Sequence, residues 1–421
     1  MKKLLALCAM TILFAQCSSD DSQTTNDDEG ADQLVQFSLT ITGDFFVPNS
    51  SGKLFLSDED GTILAEAPTL NNEQTILTAD FDPGMTYDLS FYYETFTSGT
   101  QFHFVNTFVN VSPGNYSMDP PQGFNGDQDE ITLTLTNTGD NLVVVSSSSG
   151  IVNTESNSND GGTFILNGPL PASPGYFYAS FLGPNDNLPR YSWSEGTGGS
   201  YQINADYSAL PFTNDALSIT LPTNETSDLV IRGVKDGDPT GVNAITHIVH
   251  DESFEDGTTN YQAFLPDGVF ENFRVRSSYT LPGTERNYYY TTLSENVPQT
   301  LPAVSIDYTV NNDSFANFSI ATTGEFDNYD ATFIYTNQAQ DLVVFYDVFG
   351  AASSEVSFSK VNLFNNIFAN EPDLSAGLMP PVHRITLSSY SQISSYEEYL
   401  QAPWLHGPVL EVGETMERVF E

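Results

Sequence analysis

Thr136–Val145 reads TNTGDNLVVV, Thr223–Ile231 reads TNETSDLVI, and Thr336–Phe345 reads TNQAQDLVVF. Each is Thr-Asn, a short polar or small-residue stretch, Asp or Asn, then Leu-Val-Val or Leu-Val-Ile. The first half is a turn, because short polar side chains there bond their own backbone. The second half is a β-branched strand running into a core. A looser relative, NSSGKLFLSD, begins at Asn49. The aligned leucines Leu54, Leu142, Leu229 and Leu342 stand 88, 87 and 113 residues apart. A repeat of that period is a unit of structure.

A second marker follows each of these. FDPGMTYDLSF, LPASPGYFYASF, LPDGVFENFRV and MPPVHRITLSS carry Pro83, Pro171, Pro266 and Pro380, spaced by 88, 95 and 114. Proline cannot donate to a sheet ladder, so these segments mark strand starts or edges. Between the markers lie short alternating strands such as FSLTITG, TYDLSFYY and EITLTLT. Helical periodicity is nearly absent; SYEEYL, from Ser395, is the best helical candidate. The pattern predicts an all-β chain of four tandem β-sandwich domains, Ig-like in architecture, at 34–120, 130–214, 215–329 and 330–421. The third carries extra residues between Leu293 and Asp330, expected as added strands or an extended loop. GKLFLSDEDGTIL and DPGMTYDLSF in the first unit also resemble the prealbumin-like and carboxypeptidase-regulatory-like β-sandwiches. That resemblance implies an accessory or adhesive module.

The start of the chain reads differently. MKKLLALCAMTILFAQ has two lysines, an apolar run and a small-residue step, which describes a secretory signal peptide over 1–16. Its apolar run is too short to span a bilayer. Cys17 follows, the only cysteine beyond the signal segment, and 18–33 holds six acids and no base. Such a stretch stays solvated, and as a coil it reaches roughly 20–25 Å. Cys17 with Ser18, Ser19, Asp20 and Asp21 resembles the lipoprotein signal of Bacteroidota surface lipoproteins, which implies a lipid anchor at Cys17 and the outer face of the outer membrane. Gln16 and Phe14 depart from the residues usual in that signal. Ordinary cleavage leaving a free thiol is the alternative.

Composition narrows the partners. There are 55 acidic residues against 12 basic, a formal charge of −43. Nucleic acid and anionic headgroups are repelled by such a chain, so membrane attachment falls to the anchor. With no cysteine after Cys17, no intrachain disulfide can form in the body.

Motifs for chemistry are few. His247 and His250 form HxxH, but VNAITHIVH reads as a strand, where residues three apart face opposite ways unless a bulge intervenes. Asp58 and Asp60, in DEDG, and Asp236 and Asp238, in DGD, offer clustered oxygen ligands of the type calcium takes. A hairpin turn accounts equally for DEDG. No cofactor is required. No nucleophile elbow, P-loop or dinucleotide motif occurs. In NYYYTT, alternation puts Tyr288 and Tyr290 on one face and Tyr289 on the other. Tyr289 and Trp193 are the candidate ligand-binding aromatics. The expected function is a surface-anchored, non-enzymatic binding or adhesion module or spacer, whose partner is a polysaccharide or a surface protein. The competing classes are a surface glycoside hydrolase using a carboxylate pair and an accessory subunit of an outer-membrane uptake complex.

Overall fold

The computed structural model describes residues 33–42, 45–46, 50–82, 85–118, 128–137, 143–147, 161–169, 175–196, 201–235, 246–371, 373–393, 395–401 and 413–420. Cys17, Leu142, Pro83, Pro171, Asp236 and Asp238 lie outside them. The architecture is mostly β, with strands falling into successive groups that each form two sheets.

The first group is β1 (Gln33–Ile41), β2 (Ser51–Asp58), β3 (Ile63–Thr69), β4 (Gln74–Phe81), β5 (Tyr87–Thr97), β6 (Thr100–Phe108) and β7 (Gly114–Met118). A small sheet runs β4-β1-β7, with β1 antiparallel to β4 and parallel to β7. It faces β3-β2-β5-β6. Alternation delivers Phe37, Leu39 and Ile41 from one sheet and Leu54, Leu56, Leu89 and Phe91 from the other into a single buried cluster.

The second group is β8 (Gln128–Thr136), β9 (Val143–Ser147), β10 (Gly161–Pro169), β11 (Gly175–Leu182), β12 (Arg190–Gly196) and β13 (Tyr201–Asp206). Its sheets are β10-β8-β13 and β12-β11-β9, and β8 repeats the pairing of β1. The third group is β14 (Leu217–Thr220), β15 (Thr226–Val234), β16 (Thr246–Phe254), β17 (Asn260–Ala263), β18 (Asn272–Thr280) and β19 (Arg286–Ser294). Here β14-β17 covers β16-β15-β18-β19 through Ile219, Tyr261, Leu229, Ile231 and Val275.

The fourth group is β20 (Asp307–Asn312), β21 (Phe318–Thr323), β22 (Asn328–Thr336), β23 (Leu342–Ala351), β24 (Glu355–Phe358), helix α1 (Val361–Ile367), β25 (Arg384–Tyr390), helix α2 (Tyr396–Gln401) and β26 (Gly413–Val419). The sheet β20-β21-β24 packs over β23-β22-β25-β26 through Phe318, Ile320, Tyr329, Ala331 and Phe333. SYEEYL is helical as expected, whereas α1 is not anticipated by any long periodic run.

The larger sheets of the first, third and fourth groups have one strand order: β3-β2-β5-β6, β16-β15-β18-β19 and β23-β22-β25-β26. They also join edge to edge. β19 pairs antiparallel with β26, and β23 pairs parallel with β6, giving one sheet of twelve strands. Along it the groups stand in the order third, fourth, first. Val105 of β6 shares the fourth group's core with Val344 and Tyr346, while Phe349 of β23 shares the first group's core with Phe108. The small sheet of the first group therefore lies on the opposite face of the shared sheet from those of the third and fourth.

Every proline segment leads into the equivalent strand: β5, β11, β18 and β25. The leucine marker behaves differently. Leu54 lies in β2 and Leu229 in the equivalent β15, but Leu342 opens β23, the counterpart of β3 and β16. The fourth Thr-Asn turn is thus one strand out of step, because a polar turn followed by an apolar strand fits any hairpin of the unit. The extra residues before Asp330 include β20 and β21, which cover the fourth group's sheet, and Asp330 itself lies within β22.

Candidate functional site

Strand alternation gives the shared sheet two faces. In the third and fourth groups one face is the core. The other carries Asp228, Val230 and Arg232 from β15, Arg274, Arg276 and Ser278 from β18, and Tyr289 and Thr291 from β19, matched by strand register. It continues through Thr415 and Glu417 of β26, Arg384 and Thr386 of β25, and Asp330 and Thr332 of β22. Among the described residues no small sheet covers this stretch. At the β25 corner α2 does approach it, with Tyr399 stacked on Tyr390 at 5.9 Å.

Where the fourth group meets the first, this face holds a buried polar network. Arg384 Nη2 donates to Asp330 Oδ2 (3.2 Å) and to Thr332 Oγ1 (3.1 Å). The Thr332 hydroxyl in turn donates to Asp347 Oδ1 (2.6 Å). Arg384 Nη1 stands 3.9 Å from Glu417 Oε2. Burial raises the Asp330 pKa well above the usual carboxylate range, helped by repulsion from Asp347 and opposed by Arg384. Asp347 is also raised by burial, against its bond from Thr332. Two carboxyls so placed do not both ionise readily, so the pair holds a proton more tightly than free aspartates do.

An aromatic ladder adjoins the pair. Tyr93 stacks on Phe104 at 4.5 Å and 9°, and Phe104 on Phe345 at 5.1 Å and 6°. Burial, then the charge of Asp347, pushes the Tyr93 hydroxyl up to about 12. Rings stacked face to face across neighbouring strands use their faces on one another and leave mainly edges outward. The ladder therefore staples the parallel joint of β6 and β23 more readily than it receives a sugar ring.

The sequence candidates fall in separate places. Tyr288 is buried, and Tyr289 is half-buried on the open face with the Arg276 guanidinium 5.6 Å from its ring centroid. Trp193 is stacked on Tyr176 at 5.0 Å and meets His247 and Phe270 edge-on at 4.9 and 5.3 Å. It thus sits in the seam between the second and third groups, on a different sheet from Tyr289. Asp58 closes its own turn by accepting from Thr62 N (2.7 Å). That turn is docked under α1: Asn362 and Asn366 donate to the carbonyls of Asp60 and Gly61, both at 3.0 Å. Gly61 has φ +79, and a Cβ there would lie 2.6 Å from Leu363 N, so glycine is required by the contact. The DEDG turn is thus occupied in joining two groups.

HxxH contains the bulge that alternation alone leaves out. Ile231 pairs with His250 and Arg232 with Ile248, so Val249 is an extra residue in β16. His247 and His250 consequently share the core-facing side and are buried. Burial pushes both imidazoles down to about 4. Among the described residues no third His, Cys, Asp or Glu joins them in a metal-binding group.

Two features of the open face go beyond the sequence candidates. Asp330, Asp347 and Arg384 come from three strands, and no local motif links them. The arginines of FRVRSS, Arg274 and Arg276, are two apart, and strand alternation alone places them on one face. Comparison of the sequence with protein-family models and with curated proteins finds no match.

Proposed function

We propose that the chain is a lipid-anchored cell-surface protein that binds an extracellular ligand without turning it over. In this reading Cys17 carries the anchor at the outer membrane, the acidic 17–33 segment is the tether, and the body is a tandem array of four β-sandwich units, the first prealbumin-like. The observation that carries it is the polar face of the shared sheet, backed by two cores and exposed at Asp228, Arg232 and Arg276, though buried at Arg274, Thr291 and Thr332. Units fused through a sheet cannot hinge freely, so such a face meets a ligand with little ordering cost. Two measurements test it. Cys17→Ala should move the protein from the membrane fraction to the soluble one. The mature chain, immobilised and offered a panel of neutral and acidic polysaccharides, should retain at least one with no new reducing ends. Retention of none counts against the reading.

A second reading, a surface glycoside hydrolase, draws on Asp330 and Asp347. Hydrolysis of that kind uses one protonated and one ionised carboxyl. Both aspartates are tied through Thr332 and Arg384 within the sheet, which favours a structural role. Polysaccharide turnover abolished by Asp330→Asn would decide for the hydrolase.

A further inference from the structure

Beyond Lys2 and Lys3 the chain has ten basic residues, set against 55 acids. Six of them form ion pairs with carboxylates: Arg190, Lys235, Arg286, Lys360, Arg384 and Arg418. Arg232 and Arg276 are exposed, and among the described residues neither has a carboxylate at ion-pair distance. Arg232 is directly opposite Arg274 in the β15–β18 register, and Arg276 follows two residues on. Two exposed guanidinium groups, those of Arg232 and Arg276, thus project from one side of two neighbouring strands, with the buried side chain of Arg274 beside them. Like charges close together in a sheet are destabilising, and the chain has acids in abundance with which Arg232 and Arg276 could be neutralised. The two carboxylates nearest by register are Asp228, opposite Ser278 and accepting from its hydroxyl at 2.8 Å, and Asp251, opposite Val230. Each lies a step along the face from the arginines. Tyr289, beside Arg276, supplies the aromatic edge of the patch, its hydroxyl engaged with the Glu417 carboxylate.

We infer that Arg232 and Arg276, with Tyr289 beside them, recognise one compact anionic group, a carboxylate or sulfate ester, on an otherwise uncharged glycan. The inference rests on the ligand-binding reading above and names the ligand's chemistry. Guanidinium groups suit planar or tetrahedral oxyanions through paired hydrogen bonds. The rest of the molecule decides against a polyanion. At physiological salt the field of each charge fades over about 8 Å, so the patch acts locally while a long polyanion meets acidic surface on every side.

The test is calorimetric titration of the full mature chain with three matched oligosaccharides: one bearing a single glucuronate, one bearing a single sulfate in its place, and the neutral carboxyl-reduced form. A densely sulfated polymer is the fourth probe. The glucuronate or the sulfate form should bind at least about tenfold tighter than the neutral form, the difference expected of a hydrogen bond to a charged group. Arg232→Gln with Arg276→Gln should remove that difference without lowering the thermal midpoint, and Lys53→Gln should not affect the difference. Preference for glucuronate over sulfate, or the reverse, identifies the source of the anion. Equal binding of the neutral form, an unaffected double variant, or tighter binding of the polymer would each overturn the inference while leaving a ligand-binding surface in place. Binding of none of the probes overturns it too, and if the polysaccharide panel is also negative the broader reading falls with it.

Discussion

Lys360, at the start of α1, is paired with Asp88 of β5 across the joint between the first and fourth groups, and both side chains are buried, 5% and 2% exposed. Asp88 also accepts from Asn110 N at 3.3 Å. Burial raises the Asp88 pKa despite the ammonium beside it, so desolvation outweighs attraction at this site. A pair of this kind contributes little net stability, but losing one partner strands the other. Asp88→Leu or Lys360→Met alone should destabilise the protein by about 3–5 kcal/mol. The double variant should lose much less. Chemical denaturation measures all three, and single-variant losses of a surface pair's size would show that the joint is wet.

Leu54 and Leu229 are fully buried at equivalent positions on β2 and β15. Truncation of either to Ala should cost about 2–5 kcal/mol. Leu342 is only half-buried and begins the counterpart of a different strand. Leu342→Ala should cost less than either, as read from denaturant midpoints. Equal losses at Leu229 and Leu342 would contradict their different places in the fold.

That contrast marks how far the sequence is legible. The proline segments lead into β5, β11, β18 and β25 because lacking an N–H restricts where proline sits in a sheet. The Thr-Asn turns describe only a hairpin, and a sandwich has several, so Thr336 aligns with the others by residue type and not by place. Near-equal spacings of 113 and 114 hide this, because α1 and its flanks are inserted before β25. The shared sheet is illegible for another reason. The edge strands β6, β19, β23 and β26 alternate like inner strands, and nothing local states which edge meets which. Since Asp330, Asp347, Arg384 and the placing of Arg232 beside Arg274 and Arg276 depend on pairings between strands, most of the candidate site was hidden with it. The bulge at Val249 is likewise a property of pairing.

His247 and His250 supply a pH dependence. Their native pKa values lie near 4 because burial disfavours the imidazolium, while the unfolded chain titrates near 6.5. A depressed folded pKa gives stability that is complete above the unfolded value and lost as pH falls through the folded one. The third unit should therefore weaken between about pH 6.5 and 4, by roughly 3 kcal/mol for each histidine, taking 1.36 kcal/mol for each pKa unit. Glu252 lies 3.8 Å from His250 Nε2, but at 46% exposure it is too solvated to hold that imidazolium in a buried site. Thermal unfolding followed across this range should flatten in His250→Gln. An unchanged slope in that variant would assign the acid sensitivity to other groups.

Asp330 predicts the opposite slope. Its folded pKa is raised, so its favourable contribution is present below the ordinary carboxylate value and is lost as pH rises through the folded pKa. Asn resembles the protonated carboxyl in shape and does not titrate. Asp330→Asn should match the wild type in acid and become progressively more stable than it toward pH 8. The size of the gain reports how far burial and Asp347 outweigh Arg384. Arg384 keeps Thr332 and Glu417 as partners in the variant, so the substitution does not strand a lone guanidinium. Denaturant titrations of both proteins at several pH values measure the difference directly. A loss of stability at pH 8 would mean that the Arg384 ion pair dominates, and that Asp330 is ionised in the native protein.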